Sequence, residues 1–400
     1  MTDIAILFAS GLLLLAYFLG VAGRRYRLPS VVLLIASGMA LRQVLDPVGV
    51  ELKWITPVVP VLGTIGLILI VLEGALDLAV TCERIRLIAV SATSALTGFG
   101  VTLAVMATLF VTAFDLTNAD AILAAIPFSV ISSAVAIPSA AGLSPEPREF
   151  VIYESSLSDI IGVLVFYAWL NAEGSARDFA IDLFGGGVIS LTIALLVAPA
   201  IFFFLNRIDG HVRFLPLIAG IVFLYAAGKA LHLSPLVLVL GCGLLLNNPH
   251  LANWSRRLSA WRGDNYDQRL KEFKGLVAEL TFAAKSFFFL LLGYWTDLEK
   301  MASWTAWAVA TAVFFVAFAS RALILRVLRQ PDAAALTWIA PRGLITVLLF
   351  IAAADAGKLH EFSGGSVMLV VLATSAATAL SRVAAKPAAL AVAALSKPPD

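Results

Sequence analysis

Residues 121–142 read AILAAIPFSVISSAVAIPSAAG. As a helix this stretch is long and apolar enough to cross a bilayer, which takes about 20 residues. Yet it holds Pro127, Pro138 and the serines Ser129, Ser132, Ser133 and Ser139. A proline inside a helix removes a backbone donor and frees a carbonyl one turn earlier. In lipid such groups need partners, so an interrupted span belongs where protein lines a cavity. Residues 333–356, AAALTWIAPRGLITVLLFIAAADA, have the same character, with Pro341, Arg342 and Gly343 at their centre. One such span reads most simply as a kinked helix. Two of them, an odd number of crossings apart, run in opposite directions. That is the pattern of an inverted repeat whose discontinuous helices cross near the midplane.

The rest of the chain fits this frame. Of its 400 residues, 60% are hydrophobic and only 14% charged, where soluble domains are near a quarter charged. Apolar runs of spanning length recur from end to end, so the fold class is an all-α polytopic membrane protein with about thirteen transmembrane helices. Their limits are near 4–22, 30–45, 57–79, 87–113, 120–143, 150–170, 180–206, 213–231, 234–247, 274–296, 303–328, 333–355 and 366–393. The division is an extra N-terminal helix in 1–29, a first repeat half in 30–206 and a second in 207–400. The first run lacks the basic n-region of a signal peptide and reads as a retained span. The tail SKPPD reads as too short for a further domain.

Basic residues give an orientation. Arg24, Arg25, Arg27, Arg84, Arg86, Arg207, Arg213, Arg256, Arg257, Arg262, Arg269, Lys271, Arg326 and Arg329 all fall on one side of a thirteen-span chain. The positive-inside rule then puts the C-terminus in the cytoplasm and the N-terminus outside. The net charge of +2 says nothing about nucleic acid, and Cys82 and Cys242 lie too far apart in sequence for a metal-spaced pair. All four histidines fall in loops, which removes a Ser–His or His–zinc site within the membrane.

Few ionisable residues lie inside the spans: Glu73, Glu154, Asp159, Lys285, Arg321 and Arg342, with Asp77 and Glu279 nearer the ends. A charge at the centre of a spanning helix costs about 2.5–3.5 kcal/mol on insertion scales and marks a functional site or a buried pair. Residues 150–170, FVIYESSLSDIIGVLVFYAWL, carry two acids. Asp159 shares a helical face with Ser155, and Glu154 shares a neighbouring face with Ser158. Arg321 cannot shed its proton and needs a permanent anion, for which Glu154 is the best candidate. Asp159 is then the acid left to exchange protons or ions. Glu73 has a packing or a site role, and Lys285 reads as a helix-packing cation.

Several motifs carry a resemblance. YESSLSDIIGVLVF is similar to the ES-x-x-ND segment of the monovalent cation:proton antiporter superfamily, sodium/proton exchanger branch. LILIVLEGALDL resembles its third-span pattern, FFFLLLGYWTDL its FxxLGLxLD segment, ASRALIL its helix with a buried base, and APRGLITVLLF its second broken helix. The five stand in order along nearly the whole chain. The resemblance implies a secondary antiporter exchanging Na⁺ or K⁺ for H⁺ by alternating access. On it, Asp159, Ser158 and Ser155 bind the ion or proton. Glu154, Arg321 and Arg342 support the site as charges, Glu73, Lys285 and Ser133 are secondary, and Pro138 and Pro341 mark the broken helices. One departure stands out: the family's TDP at the first break aligns here with Ala136-Ile137-Pro138, so its Thr and Asp are missing.

With a single central carboxylate, the exchange is expected to be electroneutral. No enzyme activity, cofactor or metal beyond the transported cation is implied, and no nucleic acid. The resemblance further implies a homodimer in a bacterial inner membrane, serving pH homeostasis. The alternatives are a K⁺ efflux system resembling a channel, or a transport-inactive membrane sensor.

Overall fold

The structure, a computed structural model, describes residues 2–26, 30–45, 47, 58–172, 175–207, 214–231, 233–252, 266–359 and 364–395. Arg256, Arg257 and Arg262, part of the orientation argument, lie outside them, as do Arg27 and Arg213. The described residues are helical almost throughout. In chain order they form α1 (Thr2–Tyr26), α2 (Ser30–Leu45), α3 (Val58–Asp77), α4 (Ile85–Phe114), α5 (Asn118–Ser129), α6 (Ser133–Ser139) and α7 (Pro145–Asn171). There follow α8 (Ala176–Ala180), a π-turn at Ile181–Gly186 that runs into α9 (Gly187–Arg207), α10 (Leu215–Ala230) and α11 (Pro235–Asn247). The last are α12 (Tyr266–Trp295), α13 (Leu298–Ala302), α14 (Trp304–Val327), α15 (Ala333–Thr337), α16 (Leu344–Asp355) and α17 (Gly364–Leu395).

Among the described residues, seven helical segments are long and apolar enough to cross a membrane, and five shorter ones are apolar. With α3 they make thirteen passages, α5–α6 and α15–α16 each counting as one. α12 begins earlier than composition alone suggests. Its first turns, YDQRLKEF, are charged, but Tyr266, Leu270, Phe273 and Val277 recur on one buried face. This is the spacing of an amphipathic helix extending past the lipid.

The helices sort into two bundles. α4, α5, α6, α7, α14, α15, α16 and α17 pack mainly on one another, and α1, α2, α3, α9, α10, α11 and α12 do likewise. In the second bundle α2 and α12 cross with backbone against backbone. A Cβ on Gly293 would lie 3.0 Å from Cα of Ile35 and closer still to its carbonyl, so only glycine fits. Contact between the bundles is sparse and runs along α3, α7, α11 and α16, with α2 also against α17. At one end of this seam the Tyr153 hydroxyl on α7 donates to the Ala79 carbonyl just after α3 (2.7 Å). At the other end a vestibule of about 520 Å³ opens between the bundles. Its walls include Thr64, Tyr167, Asp182, Tyr225, Lys229 and Asp355.

Candidate functional site

The two broken helices meet inside the first bundle. α5 stops at Ser129, Val130 to Ser132 are extended, and α6 starts at Ser133. α15 ends at Thr337, and the chain runs without helix through Pro341, Arg342 and Gly343 to α16. The breaks bond to each other, with Ser132 N–H donating to Pro341 O (2.9 Å). They also touch at Gly343, where a Cβ would sit 2.5 Å from Ser132 Oγ. A side chain at 343 would force them apart.

The first break is therefore not at Pro138, which lies inside α6. Proline marks where a donor is missing, but this helix is interrupted where donors are diverted. Ile131 N–H donates to Ser158 Oγ (2.9 Å), Ser132 N–H to Pro341 O, and Ser133 N–H to Asp159 Oδ2 (3.1 Å). Three successive N–H groups thus leave the helical ladder for tertiary partners. Pro341 does lie within the second break.

Arg342 closes the crossing electrically. It is 1% exposed, and its Nε donates to Phe128 O (2.7 Å) and Nη1 to Ala340 O (2.9 Å). Thr346 Oγ1 donates to Pro127 O (3.1 Å). The last carbonyls of a helix have no partner within it and carry partial negative charge. Arg342 and Thr346 satisfy two of those of α5, and Arg342 also reaches the second break. Thr374 and Thr378 on α17 brace that break, Thr374 Oγ1 accepting from Arg342 N–H (2.9 Å) and Thr378 Oγ1 donating to Trp338 O (2.9 Å).

The other charges fall into two pairs. Arg321 grips Glu154 with two parallel bonds, Nη1 to Oε1 (3.0 Å) and Nη2 to Oε2 (2.8 Å). Ser94 Oγ also donates to Glu154 Oε1 (2.6 Å), and Arg321 Nε donates to Leu336 O (2.7 Å). Both residues are buried. Lys285 Nζ on α12 meets Glu73 Oε2 on α3 at 2.8 Å, and this pair is half-buried in the second bundle.

Asp159 stands apart. It is 5% exposed, and while Oδ2 accepts from Ser133 N–H, Oδ1 has no hydrogen-bond partner. It lines a cavity of about 10 Å³ at the seam, space for roughly one water-sized occupant. Ser133 and Ser156 line it too, with Ile70, Val71, Gly74 and Ala75 of α3 and Ile345 of α16 opposite. Ser155 and Ser158 do not line it. The Ser155 hydroxyl donates to Val151 O (2.7 Å), and that of Ser158 holds the Ile131 N–H. Ser156 was missed in the sequence. Its offset of three residues from Asp159 is a helical neighbour as good as four, and nothing in composition ranks the two. The vestibule ends about one turn away, since Leu67 and Leu348 line it while Ile70 and Ile345 line the cavity.

A family model described as sodium/hydrogen exchanger, transmembrane, matches residues 11–386. The fold is similar to that of the sodium proton antiporter MjNhaP1 from Methanocaldococcus jannaschii at pH 8, with a TM-score of 0.74 and 19% identity over 95% of this chain and 99% of that one. A structure of the same antiporter derived from an electron-microscopy map gives a TM-score of 0.70 and 18% identity, over 100% of each chain. A search among curated proteins gives no match.

Proposed function

Because the chain belongs to the sodium/hydrogen exchanger family, we propose that it trades one Na⁺ or K⁺ for one proton on Asp159 by alternating access. It is an integral membrane antiporter of that family and not an enzyme. The observation that carries the reading is the state of Asp159: one oxygen fixed by a backbone N–H, the other unpartnered and facing a cavity at the seam. Glu154, the other central acid, is held by Arg321 and Ser94.

The chemistry is competition. Asp159 holds either a proton or a dehydrated cation, and oxygen donors suit hard cations of this kind. The facing wall of Ile70, Val71 and Ile345 is apolar. A bare carboxylate moving past it bears the full cost of an unpaired charge, so the bundle moves only when the site is loaded. Glu154, Arg321 and Arg342 keep fixed charges beside it, and Ser158 and Ser133 hold the break open around it. One acid that takes one proton or one monovalent cation moves no net charge, which makes the exchange electroneutral. The antiparallel crossing of two broken helices supports reading 30–206 and 207–400 as inverted repeats. A homodimer in a bacterial inner membrane, N-terminus outside and C-terminus cytoplasmic, serving pH homeostasis, completes the proposal. Its orientation is supported by Arg84, Arg86, Arg326 and Arg329 at helix ends.

The test is proteoliposomes with a cation gradient, an internal pH dye and a clamped potential. Cation-driven proton flux in the native protein, absent from Asp159→Asn and indifferent to the potential, is the expected result. Flux persisting in Asp159→Asn overturns the assignment. Voltage-dependent flux keeps the antiporter and discards one-for-one exchange.

A further inference from the structure

Six buried side-chain oxygens have no hydrogen-bond partner among the described residues: those of Ser91, Ser132, Ser156, Ser286 and Ser375, and Oδ1 of Asp159. A buried hydroxyl without a partner costs free energy, so each is a place to look for a ligand. Being unpartnered is not enough, since Ser91, Ser286 and Ser375 sit away from the Asp159 cavity. Ser156 alone of the five serines lines the cavity that Asp159 lines. It is 2% exposed and stands on the same face of α7 as Asp159.

We infer that Ser156 Oγ is the second side-chain oxygen of the cation site, and that Gly74 of α3 keeps open the space in front of it. This rests on the reading of Asp159 as the exchanging acid and names a ligand that the reading leaves unassigned. The hydroxyls flanking it, Ser155 and Ser158, are committed to Val151 O and Ile131 N–H. Ser155 and Ser158 do not line the cavity, whereas Ser156 does, and its lone pairs face no donor. The α3 wall offers Ile70, Val71, Gly74 and Ala75 and no polar side chain. Asp159 and Ser156 therefore both belong to α7 and travel with it, and Ser133 of α6, in the same bundle, lines the cavity beside them. At Gly74 a Cβ would meet Ser156 Oγ at 3.9 Å, an ordinary contact. Alanine fits there without strain and narrows the cavity on the side of Ser156.

The experiment is titration calorimetry of the purified full chain with NaCl and LiCl, paired with the proteoliposome assay. Ser156→Ala is expected to weaken cation binding by about tenfold, the loss of one good contact, while maximal flux at saturating cation survives. Ser91→Ala, equally buried and unpartnered, is expected to change neither. Ser156→Thr keeps the oxygen and is expected to bind better than Ser156→Ala. Gly74→Ala is expected to raise the preference for Li⁺ over Na⁺. Native affinity in Ser156→Ala, or an equal loss in Ser91→Ala, overturns the inference. Should Ser156→Ala not fold, Gly74→Ala decides: an unchanged ion preference overturns it. Cation binding that depends on Asp159 without any flux would instead refute the exchange reading and leave the ligand intact.

Discussion

Glu154 and Asp159 stand on the same face-to-core helix, α7, and their circumstances are opposite. Glu154 is matched oxygen for oxygen by a guanidinium and receives a serine hydroxyl besides. Asp159 has a single backbone donor on one oxygen and none on the other. Both are buried, so burial does not separate a structural acid from a working one. What separates them is whether the partner can leave. A bidentate arginine cannot be displaced by a monovalent ion, whereas a small cavity invites one.

The largest expected effect lies on the Asp159 side of that contrast. Asp159→Asn should abolish exchange while the protein still runs as a folded species on size exclusion, because a neutral amide imitates the protonated state. Next comes the Glu154 side. Glu154→Ala and Arg321→Ala should each lower stability by about 3–5 kcal/mol, the cost of leaving one buried charge alone. The double variant should recover part of that loss in thermal unfolding, and strictly additive losses would mean that the pair is not coupled. Arg342 tests a middle case, a buried cation held by carbonyls. Arg342→Ala should lose most transport, while Arg342→Lys should keep some with a shifted pH profile; native flux in the alanine variant would remove Arg342 from the site. Competition at Asp159 also sets a sign: the half-saturating cation concentration should rise as pH falls, since protons take the same oxygens. The smallest effect is expected at Glu73 and Lys285, where one half-buried contact can be lost without leaving a sealed charge. Glu73→Gln should cost about 1 kcal/mol or less, and a loss as large as that of Glu154→Ala would erase the distinction between the two pairs.

The thirteen passages were legible because lipid demands long apolar runs, and even the short α2 and α11 could be placed. The crossing was legible because Pro341-Arg342-Gly343 has no reason to sit in an ordinary span. The partner of Arg321 could be named because a permanent cation needs a permanent anion. The position of the first break was not legible. Proline is a local signal, whereas Ile131 and Ser133 are pulled from the helix by Ser158 and Asp159 on α7, and Ser132 by Pro341, far along the chain. Which serine of α7 faces the cavity was likewise hidden, because helical spacing offers Ser155 and Ser156 to Asp159 equally. Only the neighbours decide, by engaging one hydroxyl and leaving the other.

The bond from Tyr153 to Ala79 fastens the seam at the end away from the vestibule. A hydrogen bond of this kind contributes about 1 kcal/mol net, which is roughly a fivefold bias toward the conformation that makes it. Such a bias has no influence on the gradient at which exchange stops, because the bond is back in place after every full cycle. On the proposed exchange it alters the service given to each face of the membrane, tightening apparent affinity on the vestibule side and loosening it on the other. Tyr153→Phe should bring the two half-saturation constants closer by that same fivefold. On that mechanism the molecule is a rectifier in rate and a neutral balance at equilibrium, with one phenol setting the difference.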